Sequence, residues 1–108
     1  MGRYILGEFE HLVLLTVLQL GEDAYGVSVT ERLAEQTGQD VAQAAVYLTL
    51  RRLEKKGWLQ GHSSRSPGAG DRRTRKTYTV TPDGRTRLAE AQSTLRSMWD
   101  AIGEELSS

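Results

Sequence analysis

The chain has 108 residues, 38% apolar and 26% charged, with a formal net charge of zero and no cysteine. That length suits one compact domain of ordinary composition, and the missing cysteines exclude disulfides and thiolate chemistry, in keeping with a cytoplasmic setting. No apolar run approaches the roughly 20 residues of a membrane span, since the longest, Leu12 to Leu18, is interrupted by Thr16. The N-terminal Met-Gly-Arg-Tyr-Ile-Leu-Gly-Glu lacks the apolar stretch of a secretory signal.

A first helix is expected from Glu8 to Leu20, ending at Gly21. Phe9, Leu12, Val13, Thr16, Val17 and Leu20 share one face, and Glu8 and Glu10 suit the positive end of the helix dipole. A turn, Gly21 to Ala24, leads to a second helix from about Tyr25 to Gln36. Tyr25, Val29 and Leu33 form its apolar stripe, and Gly38 is placed to end it. Asp40 is expected to cap a third helix, with Gln43 three residues on as capping-box partner. In that helix Val46, Leu50 and Leu53 should face the core, and Gly57 should end it. The short spacer between helices two and three is that of a helix-turn-helix.

Trp58 to Ser63 and Lys76 to Thr81 read as two strands of a hairpin. The intervening Ser64 to Asp71, with Pro67, Gly68 and Gly70, reads as its tip. The last helix is expected from Pro82 to Leu106, with Thr81 as N-cap, Pro82 at the first helical position and Asp83 in the first turn. Leu88, Leu95 and Ile102 recur every seven residues in it, with Ala91, Met98 and Trp99 beside them. A stripe this long is the pattern of a helix–helix dimer seam. The expected fold is mainly α (α+β): a winged helix-turn-helix over residues 1–81, and a C-terminal dimerisation helix over 82–108 in the same compact unit.

Zero net charge conceals a strong asymmetry. Residues 8 to 40 carry seven acids against the single base Arg32, whereas residues 51 to 76 carry nine bases against Glu54 and Asp71. Charges more than about 8 Å apart are largely screened at physiological salt, so the local excess decides what is attracted, and here it favours phosphate.

N-terminal residues of a recognition helix reach base edges in the major groove. Gln43, Ala44, Tyr47, Leu48 and Arg51 lie opposite or beside the Val46–Leu50–Leu53 stripe. Gln43 has the chemistry for adenine, unless it only closes the capping box, and Ala44 can pack on a thymine methyl. Arg51 and Lys55, four residues apart, are assigned to the DNA side, leaving Arg52 and Lys56 to solvent or ion pairs. In the wing, Arg72, Arg73, Arg75 and Lys76 are expected to meet phosphates or the minor groove.

With these residues laid out, the chain resembles the PadR family of transcriptional regulators in its short form with a single C-terminal helix. The likeness is carried by Leu6-Gly7-Glu8, by Gly21 to Gly26 (Gly-Glu-Asp-Ala-Tyr-Gly), and by Val46-Tyr47. It continues through Leu50 to Gly57 (Leu-Arg-Arg-Leu-Glu-Lys-Lys-Gly), Arg73 to Lys76, and Thr81-Pro82-Asp83-Gly84. Two positions depart from the family's pattern: Ala45 stands where a threonine is usual, and Leu48 where a proline is frequent. The resemblance implies a dimeric DNA-binding repressor, often one that responds to a small aromatic or cationic compound. It also implies that the Tyr47 hydroxyl meets a phosphate. Leu95 and Trp99, one turn apart, are candidates for an effector surface on the dimer seam.

Catalysis is not expected. His11 and His62 have no partners at metal-site or triad spacing, and no glycine-rich phosphate loop precedes a helix, so neither cofactor nor metal is implied. The competing reading is a winged-helix module that binds a protein instead of DNA.

Overall fold

The computed structural model describes residues 6–65 and 74–103. In chain order the elements are α1 (Glu8–Leu20), a 3-10 turn (Gly21–Asp23), α2 (Gly26–Thr37), α3 (Gln43–Lys55), β1 (Leu59–Arg65), β2 (Thr74–Val80) and α4 (Pro82–Ile102). The two strands pair antiparallel, with Leu59 opposite Val80 and Gly61 opposite Tyr78. The fold is thus mainly helical with a small two-stranded sheet, as expected of a winged helix with a C-terminal helix.

Helix periodicity accounts for most of the core. Val13, Leu14 and Val17 of α1, Val29 and Leu33 of α2, and Val46, Leu50 and Leu53 of α3 are buried together. Ala24, Trp58, Leu59, Tyr78 and Leu88 close the cluster from the turn, the hairpin and α4. Leu14 lies off the stripe expected of α1, yet it is fully buried, because α1 is covered by α2, α3, α4 and β2 rather than from one side. Thr16 is also buried, and its hydroxyl is satisfied by donating to the Leu12 carbonyl at 2.7 Å.

The start of α3 corrects the sequence reading. Its N-cap is Ala42, extended at φ −72° and ψ 125°, with no side-chain cap. Asp40 lies two residues too early, because Val41 packs half-buried against the core and the chain there has not yet entered the helix. Gln43, the first helical residue, is therefore no capping-box partner.

The end of α3 and the start of α4 are tied together. Gly57 takes a positive φ of 84°, and the reversed chain lets Trp58 N donate to the Leu53 carbonyl. Thr81 caps α4 as expected, its hydroxyl accepting from Gly84 N at 3.0 Å and donating to Gly57 O at 2.7 Å. Strand pairing runs further toward the tip than the sequence suggested, as far as Arg65 opposite Thr74. An isolated antiparallel bridge between Tyr25 and Thr77, in which Tyr78 N donates to Ala24 O at 2.9 Å, pins the hairpin to the start of α2.

Candidate nucleic-acid interface

Opposite the buried stripe of α3 stand Ala44, Leu48, Arg51 and Lys55, at i, i+4, i+7 and i+11 and all exposed. At 100° per residue these four point away from Val46, Leu50 and Leu53. Tyr47 and Gln43 flank the stripe on the α2 side, and the Gln43 amide donates to the Tyr47 hydroxyl at 3.1 Å. The Tyr47 ring lies directly on Gly26, the first residue of α2, so closely that a Cβ there would overlap the ring. Tyr47 therefore has a fixed place at the mouth of the helix-turn-helix, 43% exposed.

The wing adds cations beside α3. The Arg75 guanidinium sits 4.2 Å from the centre of the Tyr25 ring, within cation–π range. Lys76 Nζ donates to Glu54 Oε1 at 3.0 Å, which spans from β2 to the last turn of α3 and holds the ammonium above its ordinary pKa of 10.5. Burial raises the Tyr78 hydroxyl above its ordinary 10.0. Among the described residues Arg51 and Lys55 have no ion-pair partner. Leu48, Arg51, Arg52, Glu54, Lys55 and Lys76 line the open depression between α3 and the wing.

The sequence profile described as "Transcriptional regulator PadR-like family" matches residues 14–90. The chain belongs to that family. This PadR-like chain also superposes on solved structures over almost its whole length. A PadR family transcriptional regulator from Eggerthella lenta is 29% identical with a TM-score of 0.71, covering 94% of this chain and 88% of its own. A Streptococcus transcriptional regulator is 25% identical with a TM-score of 0.70, covering 93% and 92%. A PadR-like regulator from Bacillus cereus, 22% identical with a TM-score of 0.73 and covering 93% and 92%, shares the fold. No curated protein matches the chain significantly.

The residues expected at the interface divide into three groups. Gln43, Ala44, Tyr47, Leu48, Arg51 and Lys55 come together on the exposed side of α3. Arg75 and Lys76 are exposed on β2, although Lys76 is shared with Glu54. Arg72 and Arg73 lie outside the described residues. Lys56, left to solvent or an ion pair by the sequence reading, donates to Glu10 Oε2 at 2.9 Å and lies 5.0 Å from the Trp58 ring. The Arg87 guanidinium stands 5.1 Å from the centre of the same ring and reaches Glu90 at 3.0 Å.

The α4 stripe also divides. Leu88 is 6% exposed and belongs to the core of its own chain, which corrects its assignment to a dimer seam. The first turns of α4 pack on α1 and β2 and bring Leu88 inside, whereas the helix then runs on past them. Ala91 is half-buried at the transition. Leu95, Met98, Trp99 and Ile102 remain 42–62% exposed. Sequence reasoning missed that Gly26 seats Tyr47 and that Tyr25 holds Arg75. Their signal was the Tyr-Gly pair within the family-like segment, but nothing local says that a ring from another helix rests on that glycine. Among the described residues no group of His, Cys, Asp and Glu could hold a metal, and no helix is long and apolar enough to cross a membrane.

Proposed function

We propose that this PadR-like regulator is a homodimeric repressor that binds an inverted repeat in double-stranded DNA. The observation that carries the reading is the exposed Ala44–Leu48–Arg51–Lys55 stripe on α3, with Tyr47 beside it and Arg75 held over Tyr25 just before α2. Base-reading positions in the first turns and cations further along and beside the helix fit a major groove walled by phosphates. Arg75 stacked on Tyr25 and Tyr47 seated on Gly26 are already ordered, so little side-chain freedom would be lost on binding.

Dimerisation is supported by Leu95, Met98, Trp99 and Ile102, at i, i+3, i+4 and i+7. Four large apolar side chains left in water on one helix face favour a second copy of α4. Two α3 helices would then enter successive major grooves roughly 34 Å apart. Leu95 and Trp99 would also present a flat apolar surface at the seam, suited to a small aromatic or cationic effector whose binding releases DNA.

Fluorescence anisotropy on labelled DNA from upstream of the protein's own gene, beside a scrambled duplex and at several salt concentrations, tests this reading. Tight, selective and salt-sensitive binding is the expected result. No binding to either duplex at low salt would replace it with the protein-interaction module.

A further inference from the structure

We infer that the recognition helix reads its site through thymine methyl groups, with Leu48 as the main specificity determinant and Ala44 as its companion. The inference rests on the DNA-binding reading above and names the feature of the DNA that is read. On the outermost stripe of α3 the first two positions are Ala44 and Leu48, and Leu48 is 57% exposed. The neighbouring polar group suited to a base edge, the Gln43 amide, is turned sideways to donate to the Tyr47 hydroxyl at 3.1 Å. The part of the helix that would lie deepest in the groove thus offers methyl groups where hydrogen-bond donors and acceptors would otherwise stand.

In the major groove the apolar feature that distinguishes one base from the others is the C5-methyl of thymine. Ala44 and Leu48 are four residues apart, hence about 6 Å along the helix axis. That separation matches one to two base-pair steps. The site should therefore carry thymines at adjacent or next-adjacent positions in each half. A protein partner is a poorer occupant of this face. Arg51 and Lys55 continue the stripe with no ion-pair partner among the described residues, and phosphates satisfy two such cations where an apolar protein surface does not.

The test starts from a pool of random duplexes enriched on the wild-type protein. The enriched site is rebuilt with deoxyuridine replacing each thymidine in turn, which removes the methyl and leaves the hydrogen-bonding edge unchanged. Anisotropy at fixed salt should show about fourfold weaker binding for each methyl that Leu48 or Ala44 covers. Leu48→Ala should bind the two versions equally at the Leu48 position while keeping the wild-type salt slope, its fold checked by circular dichroism. Wild-type binding that is indifferent to deoxyuridine everywhere, or a Leu48→Ala variant that keeps the full preference, would overturn the inference. Salt-sensitive binding without any enriched site would also overturn it, and would leave the phosphate contacts standing. Binding to no duplex at low salt would instead remove the DNA-binding reading on which it rests.

Discussion

The ring of Tyr47 in α3 packs against Gly26 of α2, and the contact leaves no room for any side chain at position 26. Gly26 has no positive φ, so its requirement for glycine is steric and comes from the recognition helix, not from its own backbone. The pair sets the distance between the two helices of the helix-turn-helix and orients the tyrosine at the proposed interface.

Gly26→Ala should therefore destabilise the protein by about 1–3 kcal/mol, the usual cost of overpacking a filled site. It should also weaken DNA binding, because the displaced Tyr47 loses its place. Adding Tyr47→Ala should restore most of the lost stability. Urea denaturation of both single variants and the double variant measures the coupling, and additive effects would mean that the two positions do not strain each other.

Arg75→Gln removes a cation that Tyr25 already holds in place. Binding should weaken on all duplexes alike. The slope of log K against log salt should become shallower by about 0.9 for each phosphate that is no longer neutralised. Titrations of a selected site and a scrambled duplex at four or five salt concentrations would show it. A change in sequence preference without a change in slope would make Arg75 a base reader instead.

Replacing Leu95 and Trp99 together by alanine should convert the proposed dimer to a monomer without unfolding it, since both side chains are about half exposed in the single chain. Sedimentation velocity should report the monomer mass and far-ultraviolet circular dichroism the unchanged helix content. Affinity for a two-half-site duplex should fall at least about 100-fold as the linkage between half-sites disappears. A variant that stays dimeric would place the seam elsewhere. Leu88→Ala should behave differently, costing about 2–5 kcal/mol of stability, because it opens the core of one chain.

Alkaline pH should weaken the packing of the wing. The Tyr78 hydroxyl is raised above 10.0 by burial, and Lys76 is raised above 10.5 by its hydrogen bond to Glu54. Both folded values exceed the unfolded ones, so these groups contribute fully below about pH 10 and their contribution is lost as pH rises through the folded values. The Lys76 share is small, since the pair is well exposed to solvent. Absorbance of tyrosinate near the alkaline limit should show one tyrosine ionising late, and Tyr78→Phe should remove that late phase. A late phase that persists in the variant would assign it to another tyrosine.

Local rules made much of this protein legible in its sequence. Helix α1 runs over the expected residues, Val46, Leu50 and Leu53 are buried as their spacing requires, and Thr81 caps α4 in the predicted way. Each of these depends on neighbours within a turn or two, where periodicity and capping chemistry act. The tertiary structure decided the rest. Asp40 has good cap chemistry, but Val41 is drawn to the core and the helix starts at Gln43. Leu88 and Leu95 stand at equivalent heptad positions, yet one is covered by the domain and the other is left in water, because spacing along a helix carries no information about where its cover ends. Gly26 under Tyr47, Tyr25 under Arg75 and Glu54 beside Lys76 join residues 21 to 50 positions apart. The sequence determined which side chains were available for the interface, and packing between helices and wing decided which of them were held in place and which were left free.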